Sequence, residues 1–343
     1  MPVNLSDMLF VKALNNTLRS LLERDSRVIL LGEDLIDPYG GAFKVTKGLS
    51  TDFPHRVLTT PVSEAAIAGV AGGLALAGFR PIAEFMFGDF TTLCFDQVVN
   101  HMSKFRAMYD GQVNCPVILR MPMGGGRAYG PTHSQSLEKF YMGVPGLTVA
   151  AASVFQNPRP LFETFVAGLN PVFFVEHKLL YAQKCRWPQS GRCGMFETET
   201  MASDGFLPTL FLRPVERASC HATVIAYGQS AGVVVKMAER LAMEREIFLE
   251  VVIPSQISPV DWAAMEISAD STRRVVICEE GTAGWDWGSE VSAQLHARLF
   301  GRLRKPIRRV ASDDGLIPSG KQQEEQMLFG EQRALAAVLE VLE

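Results

Sequence analysis

What most limits the fold of this chain is a regular exchange between two periodicities. Apolar runs of strand length, RVILLGED (27–34), RPIAEFMF (80–87), CPVILRMP (115–122), LTVAAA (147–152) and PVFFVEH (171–177), are separated by stretches of helical periodicity at 5–25, 63–78, 90–109, 135–143 and 159–168. Strands that are apolar throughout need cover on both faces, and intervening helices supply it, so the pattern predicts a mostly parallel sheet between two helical layers. The alternation breaks at 183–217, where Pro and Gly fall irregularly. It resumes with strands at 222–228, 248–255, 273–281 and 307–312 and helices near 230–245, 259–267, 286–300 and 323–342. The expected class is α/β with two domains, each a mostly parallel sheet sandwiched by helices, at 1–182 and 218–343, with an interdomain crossing at 183–217. The length of 343 residues agrees, because single cores rarely grow beyond about 250–300 residues.

The partners are narrowed by charge. A net charge of −4 with 20% charged residues gives no electrostatic drive toward nucleic acid or anionic lipid. No apolar run reaches the ~18 residues of a membrane span, and the opening MPVNLSDMLF lacks the basic and apolar regions of a signal peptide. A cytoplasmic protein is expected. The cysteines at 94, 115, 185, 193, 220 and 278 form no CxxC and no zinc-spaced cluster, and read as reduced, mostly buried thiols.

In TTPVSEAAIAG (59–69) one acid, Glu64, heads a segment of small and apolar residues. Ser63 suits a helix N-cap and Glu64 the first turn, where the macrodipole favours an anion. The helix that follows contains Gly69, Gly72 and Gly73, and ends near Gly78. Each helical Gly costs about 1 kcal/mol against Ala, so their clustering points to close approach by another backbone or a ligand. A capping role and a ligand-binding role for Glu64 both stand at this stage. The pair Glu279 and Glu280, followed by glycines and tryptophans, has the look of a catalytic acid pair, and RLRKP (302–306) reads as a solvated face.

The strings GED, GGAFKVTKGL, RVLTTPVSEAAIAGVAGGLALAGFRPIAEFMFGDF, DQVVNHMSKFRAMYDGQ, GPTHSQSLEKFYMGVPGLTV and NPVFFVEHKLLY, in this order, resemble the β subunit of the thiamine diphosphate-dependent first component of 2-oxo acid dehydrogenase complexes. TVIAYGQSAGVVVKMAERL, EVVIPSQISPVD and RVVICEEGTAGWDWGSEVSAQL are similar to the transketolase C-terminal domain of that subunit. The resemblance covers nearly the whole chain and implies a transketolase-like pyrimidine-binding domain followed by a transketolase C-terminal-like domain. It implies that Glu64 hydrogen-bonds the pyrimidine N1′ of thiamine diphosphate, that Phe90 stacks on the aminopyrimidine, and that His133, after the Gly-rich loop PMGGGRAYGPTH, serves the reacting end as part of a mobile gate. For Glu279 and Glu280 it implies a packing turn instead of a catalytic pair.

The GDG…N sequence that holds the diphosphate and its magnesium ion is missing: YDG (109–111), SDG (203–205) and DDG (313–315) lack the partner Asn at the required distance. The resemblance therefore implies an α subunit carrying that motif and Mg2+, a second β copy, and a lipoyl-bearing acyltransferase or other acyl carrier. It further implies a potassium ion on the backbone carbonyls of Val117, Phe165, Val166, Gly168 and Asn170, although VFQNPRPLFETFVAGLNP departs from the family pattern in having two prolines at a helix start. Half of a split transketolase or acyloin-forming enzyme, and a non-catalytic paralogue, are the alternatives; joint retention of Glu64, Phe90 and His133 argues against the latter.

Overall fold

Every apolar run becomes a strand. The structure, a computed structural model, describes residues 8–215 and 219–343; the expected helix start at 5–7 and the expected junction at 216–218 lie outside the described residues. Two units are formed: one from the chain up to Met123 with Phe140–Ala150 and Asn157–Cys185, the other from Gly124–Lys139, Ala151–Gln156 and Arg186–Glu343.

The first unit carries β1 (Val28–Glu33), β2 (Val57–Thr60), β3 (Arg80–Glu84), β4 (Ile118–Met123), β5 (Thr148–Ala151) and β6 (Val172–His177) in the spatial order β5-β6-β4-β3-β1-β2. All residues of β1, β4 and β6 are buried, which is why they read as unbroken apolar runs. β1 pairs in parallel with both β2 and β3, Leu30 lying opposite Val57 and Ile82. Strand order therefore reverses at β1, and the carboxyl ends of β1 and β3 flank the switch point where such sheets leave a crevice.

The helices of this unit are α1 (Phe10–Arg24), α2 (Leu49–Asp52), α3 (Glu64–Leu76), α4 (Phe105–Met108) and α5 (Pro158–Ala167). α1 buries Phe10, Leu14, Leu18 and Leu21 along one stripe and packs on α5. α5 begins at Asn157, whose side chain accepts the Arg159 N–H at 3.0 Å, with Pro158 in the first turn, where a missing donor costs nothing. The prolines that depart from the family pattern thus initiate a helix.

Two expected helices differ. The stretch 90–109 divides into a 3-10 helix at Gly88–Cys94, a π-helix at Gln97–Met102 and α4. Thr91, Thr92 and Ser103 bond back to the carbonyls of Gly88 (2.7 Å), Asp89 (3.2 Å) and Val99 (2.9 Å), competing with regular helix bonds. Of 135–143 only a 3-10 turn at Glu138–Phe140 is helical.

The second unit carries β7 (Arg192–Cys193), β8 (Phe196–Met201), β9 (Thr209–Pro214), β10 (Ala222–Ala226), β11 (Leu249–Pro254), β12 (Gln256–Ser258), β13 (Val275–Thr282) and β14 (Arg308–Ser312). Its sheet runs β14-β13-β10-β11-β9-β8-β7. β14, β13, β10 and β11 are parallel neighbours, while β9, β8 and β7 extend one side as antiparallel strands. The segment 183–217, expected to be irregular, therefore contains three strands. β8 exposes Glu197, Glu199 and Thr200, so it carries no apolar run; charges on a strand near a sheet edge also discourage unwanted pairing. The helices are α6 (Gly228–Arg245), α7 (Trp262–Thr272), α8 (Trp287–Arg298), α9 (Lys321–Met327) and α10 (Glu331–Leu342), the expected helix at 323–342 being broken ahead of Glu331. No helix among the described residues is long and apolar enough to cross a membrane.

Candidate active site

Three residues lie at or after the carboxyl ends of strands of the first sheet: Glu33 ends β1, Glu64 opens the helix after β2, and Phe90 lies in the turn after β3. Ser63 caps α3 by accepting the Ala66 N–H at 3.4 Å. A capping role alone would leave Glu64 in water, yet it is only 4% exposed, and among the described residues its carboxylate has no hydrogen-bond partner. That leaves a carboxylate with unused acceptor capacity at the ligand edge of the sheet, which a capping role does not require.

Glu33, absent from the sequence-based site, is 6% exposed and its Oε1 is also without a partner. Burial, then the nearby charges of Glu64 and Asp34, holds its carboxyl above the ordinary range. An acid at the carboxyl end of a buried strand was the available signal. The Cys94 thiol is pushed up to about 12 by burial, with Glu64 adding to the effect and a hydrogen bond with Tyr141 opposing it. α3 packs against the 3-10 stretch that holds Cys94 and Phe90, bringing the Glu64 helix and the Phe90 turn together.

Phe90 is half-buried and meets Phe87 edge-on, with centroids 6.2 Å apart. Behind this turn the fully buried Lys178 lies 3.9 Å from the Asp89 carboxylate and 5.4 Å from the Phe87 ring centre, a cation fixing the aromatic turn from below. On α3, a Cβ at Gly72 would stand 3.6 Å from Met102, whereas one at Gly69 or Gly73 would meet nothing within 4 Å among the described residues outside its own helix backbone. Close approach within the chain therefore does not explain those two glycines.

His133 belongs to the second unit, in the loop Gly124–Lys139. Its N–H donates to the Gly130 carbonyl at 3.2 Å, and its Nδ1 is 3.0 Å from the Thr132 hydroxyl. The loop is fastened at both ends. Gly125 N–H donates to Glu280 at 2.7 Å; at the other end Tyr227 donates to Glu138 at 2.8 Å, and Lys139 Nζ reaches the carbonyls of Thr282 and Gly284, each at 3.2 Å. Glu279 accepts the Gly288 N–H at 2.6 Å at the start of α8, and a bulge in β13 between Cys278 and Thr282 sets this acid pair. Burial, then the charge of Asp286, pushes the Glu279 carboxyl up to about 8. The acid pair thus holds backbone in place.

Of the carbonyls assigned to potassium, that of Val117 accepts the Val172 N–H at 2.8 Å and that of Phe165 the Gly168 N–H at 3.1 Å. Each oxygen keeps a second acceptor site. Val166 lies in the last turn of α5, and Asn170 lies exposed just before β6. Among the described residues no three His, Cys, Asp or Glu side chains gather as a metal site.

Comparison with known proteins agrees with this architecture. Residues 6–184 match the family described as transketolase, pyrimidine binding domain, and residues 214–334 match transketolase, C-terminal domain. The chain is 34% identical to the pyruvate dehydrogenase E1 component subunit beta of Leifsonia xyli subsp. xyli (strain CTCB07), over 91% of this chain and 88% of that protein. It is 33% identical to the 2-oxoisovalerate dehydrogenase subunit beta of Bacillus subtilis (strain 168), over 99% and 100%. It is 31% identical to the acetoin:2,6-dichlorophenolindophenol oxidoreductase subunit beta of the same organism, over 96% of each. A solved structure described as a split gene transketolase, inactive beta4 tetramer, superposes with a TM-score of 0.71 at 20% identity, covering 98% of this chain and 99% of that one, which shows the shared fold. The chain belongs to the family of β subunits of 2-oxo acid dehydrogenase first components, with a transketolase pyrimidine-binding domain and a transketolase C-terminal domain.

Proposed function

We propose that this chain is the pyrimidine-holding half of a thiamine diphosphate-dependent 2-oxo acid dehydrogenase first component, working with an α subunit. The observation that carries the reading is the Glu64 carboxylate, 4% exposed and without a hydrogen-bond partner among the described residues, on the ligand edge of a parallel sheet. The residues present fit an aminopyrimidine: Glu64 has acceptor capacity to spare, Glu33 has an orphaned oxygen nearby, and Phe90 is half-buried beside them in the fold. Thiamine diphosphate, when bound, supplies the electron sink that lets a 2-oxo acid lose carbon dioxide.

Glu64 holds a proton at the pyrimidine N1′, and beside it burial, with the charge of Glu64, favours the neutral form of Glu33. Phe90 offers its ring to the aminopyrimidine. His133 holds or passes a proton where the acyl group leaves for a lipoyl group on a second protein or for another acyl carrier. The α subunit, with a GDG…N sequence, supplies the diphosphate contacts and Mg2+, and a second β copy completes a heterotetramer. The same reading assigns a potassium ion to the carbonyls of Val117, Phe165, Val166, Gly168 and Asn170.

The test is reconstitution with the α subunit and a decarboxylation assay over pyruvate, branched-chain and longer 2-oxo acids. The chain alone is expected to show no turnover and the pair to turn over one class of acid. Glu64→Gln in the pair should lose about 10²-fold or more. Near wild-type turnover of that variant, or turnover by the unpartnered chain, overturns the reading.

A further inference from the structure

We propose that Glu324 is a positioning residue for His133, acting through the backbone of Ala128; the proposal rests on the functional reading of His133. Glu324, on α9, is fully buried. Its Oε2 accepts the Ala128 N–H at 2.7 Å, while its Oε1 has no hydrogen-bond partner. A buried acid with one oxygen unused is a costly way to fill space, and an apolar side chain would pack better if packing were its only task.

What the acid secures is a strained backbone. Ala128 has φ +56°, a left-handed conformation that a residue with a Cβ keeps only where its surroundings over-determine it. Two glycines let the loop lie close to the segment around α9. A Cβ on Gly125 would come within 2.5 Å of Leu328 Cδ1 and 3.1 Å of Glu324 Oε1, and one on Gly130 would stand 3.3 Å from Ser319 Cβ. The Gly130 carbonyl in turn receives the His133 N–H. From Gly125 to Gly130 the chain is therefore laid against residues 319–328 and pinned midway by Glu324, and His133 hangs from the far end of that pinned stretch.

The α–β complex is prepared with Glu324→Ala, Glu324→Gln, His133→Ala and the Glu324→Ala/His133→Ala pair. Amide exchange over 125–133 is followed together with kcat for acyl transfer to a lipoyl acceptor and KM for the 2-oxo acid. Glu324→Ala is expected to raise exchange across 125–133 and to lower kcat on the order of 10- to 100-fold, the scale of a displaced catalytic group, with KM little changed. Glu324→Gln, which keeps an acceptor for Ala128, should recover most of both. In the His133→Ala background Glu324→Ala should cost nothing further. Unchanged exchange in Glu324→Ala, or an undiminished loss in the His133→Ala background, overturns the proposal. Should Glu324→Ala fail to fold, Gly125→Ala, whose Cβ would meet Leu328 Cδ1 at 2.5 Å and Glu324 Oε1 at 3.1 Å, crowds both the loop and its pin and is expected to give the same two changes; wild-type values there overturn it equally. Full activity in His133→Ala refutes the reading beneath the proposal, and the exchange measurement, which needs no catalysis, tells the two failures apart.

Discussion

Arg120 and Glu176 meet through two parallel hydrogen bonds, Nε to Oε1 at 2.8 Å and Nη2 to Oε2 at 2.6 Å, at the centre of the first sheet, where neither is more than 1% exposed. The same guanidinium also bonds Glu84, whose other oxygen takes the Ala42 N–H at 2.6 Å. Removing the cation leaves two buried carboxylates facing each other. Arg120→Ala is therefore expected to lose about 3–5 kcal/mol in urea unfolding. Arg120→Lys should recover little, because a point charge cannot match the forked geometry.

Gly88 precedes the Asp89–Phe90 turn, and a Cβ there would fall 2.1 Å from Met123 Cγ, an atom too near the backbone to swing aside. Gly88→Ala should cost about 1–3 kcal/mol by overpacking and weaken cofactor binding in the α–β pair by shifting Phe90. Met123→Ala in the same chain opens that space. Unfolding of the single and double variants should show a favourable coupling, and strict additivity would rule out the contact.

Glu279 ties stability to pH. Its carboxyl stands at about 8 in the fold against an ordinary 4.5, raised first by burial and then by Asp286. Below the ordinary value both folded and unfolded chains hold the proton and nothing is lost. Between pH 4.5 and about 8 the folded chain keeps a proton that the unfolded chain releases, so this group lowers stability progressively as pH rises. Glu279→Gln, which can still accept the Gly288 N–H, should flatten the fall in melting temperature across that window. An unchanged profile would show that the carboxyl does not titrate there.

The thiols should be quiet. Burial pushes Cys94 and Cys115 up to about 12 and Cys185 and Cys220 up to about 11, and raises Cys193 and Cys278 as well. Only Cys220 is partly exposed, and reactivity follows the thiolate fraction and access. Iodoacetamide near neutral pH should label Cys220 first and slowly, and the other five only on unfolding, as read by peptide mass mapping.

The sheets were legible because both faces are covered: VILLGE and VFFVEH are buried at every position and read as strands at sight. β2 and β8 were missed for the opposite reason, since Leu58 and Thr59 of the first and Glu197 and Glu199 of the second point into solvent and dilute the apolar signal. The helix start at Glu64 was visible in its Ser63 cap, but the acid's burial follows from the packing of α3 against several other elements, which no local pattern records. Glu33, Glu279 and Glu324 act through partners that only the folded chain brings near, as with Glu324 and Ala128, 196 positions apart. Local pattern carries no trace of such pairings.

The loop from Gly124 to Lys139 is encoded amid the first domain but folds with the second unit, where Glu280, Tyr227 and Glu324 fasten it. Chimeras that trade C-terminal halves between relatives would thus import a foreign cradle beneath a native histidine. Modular exchange in this lineage should succeed only when the graft carries residues 124–139 along with the half that supports them.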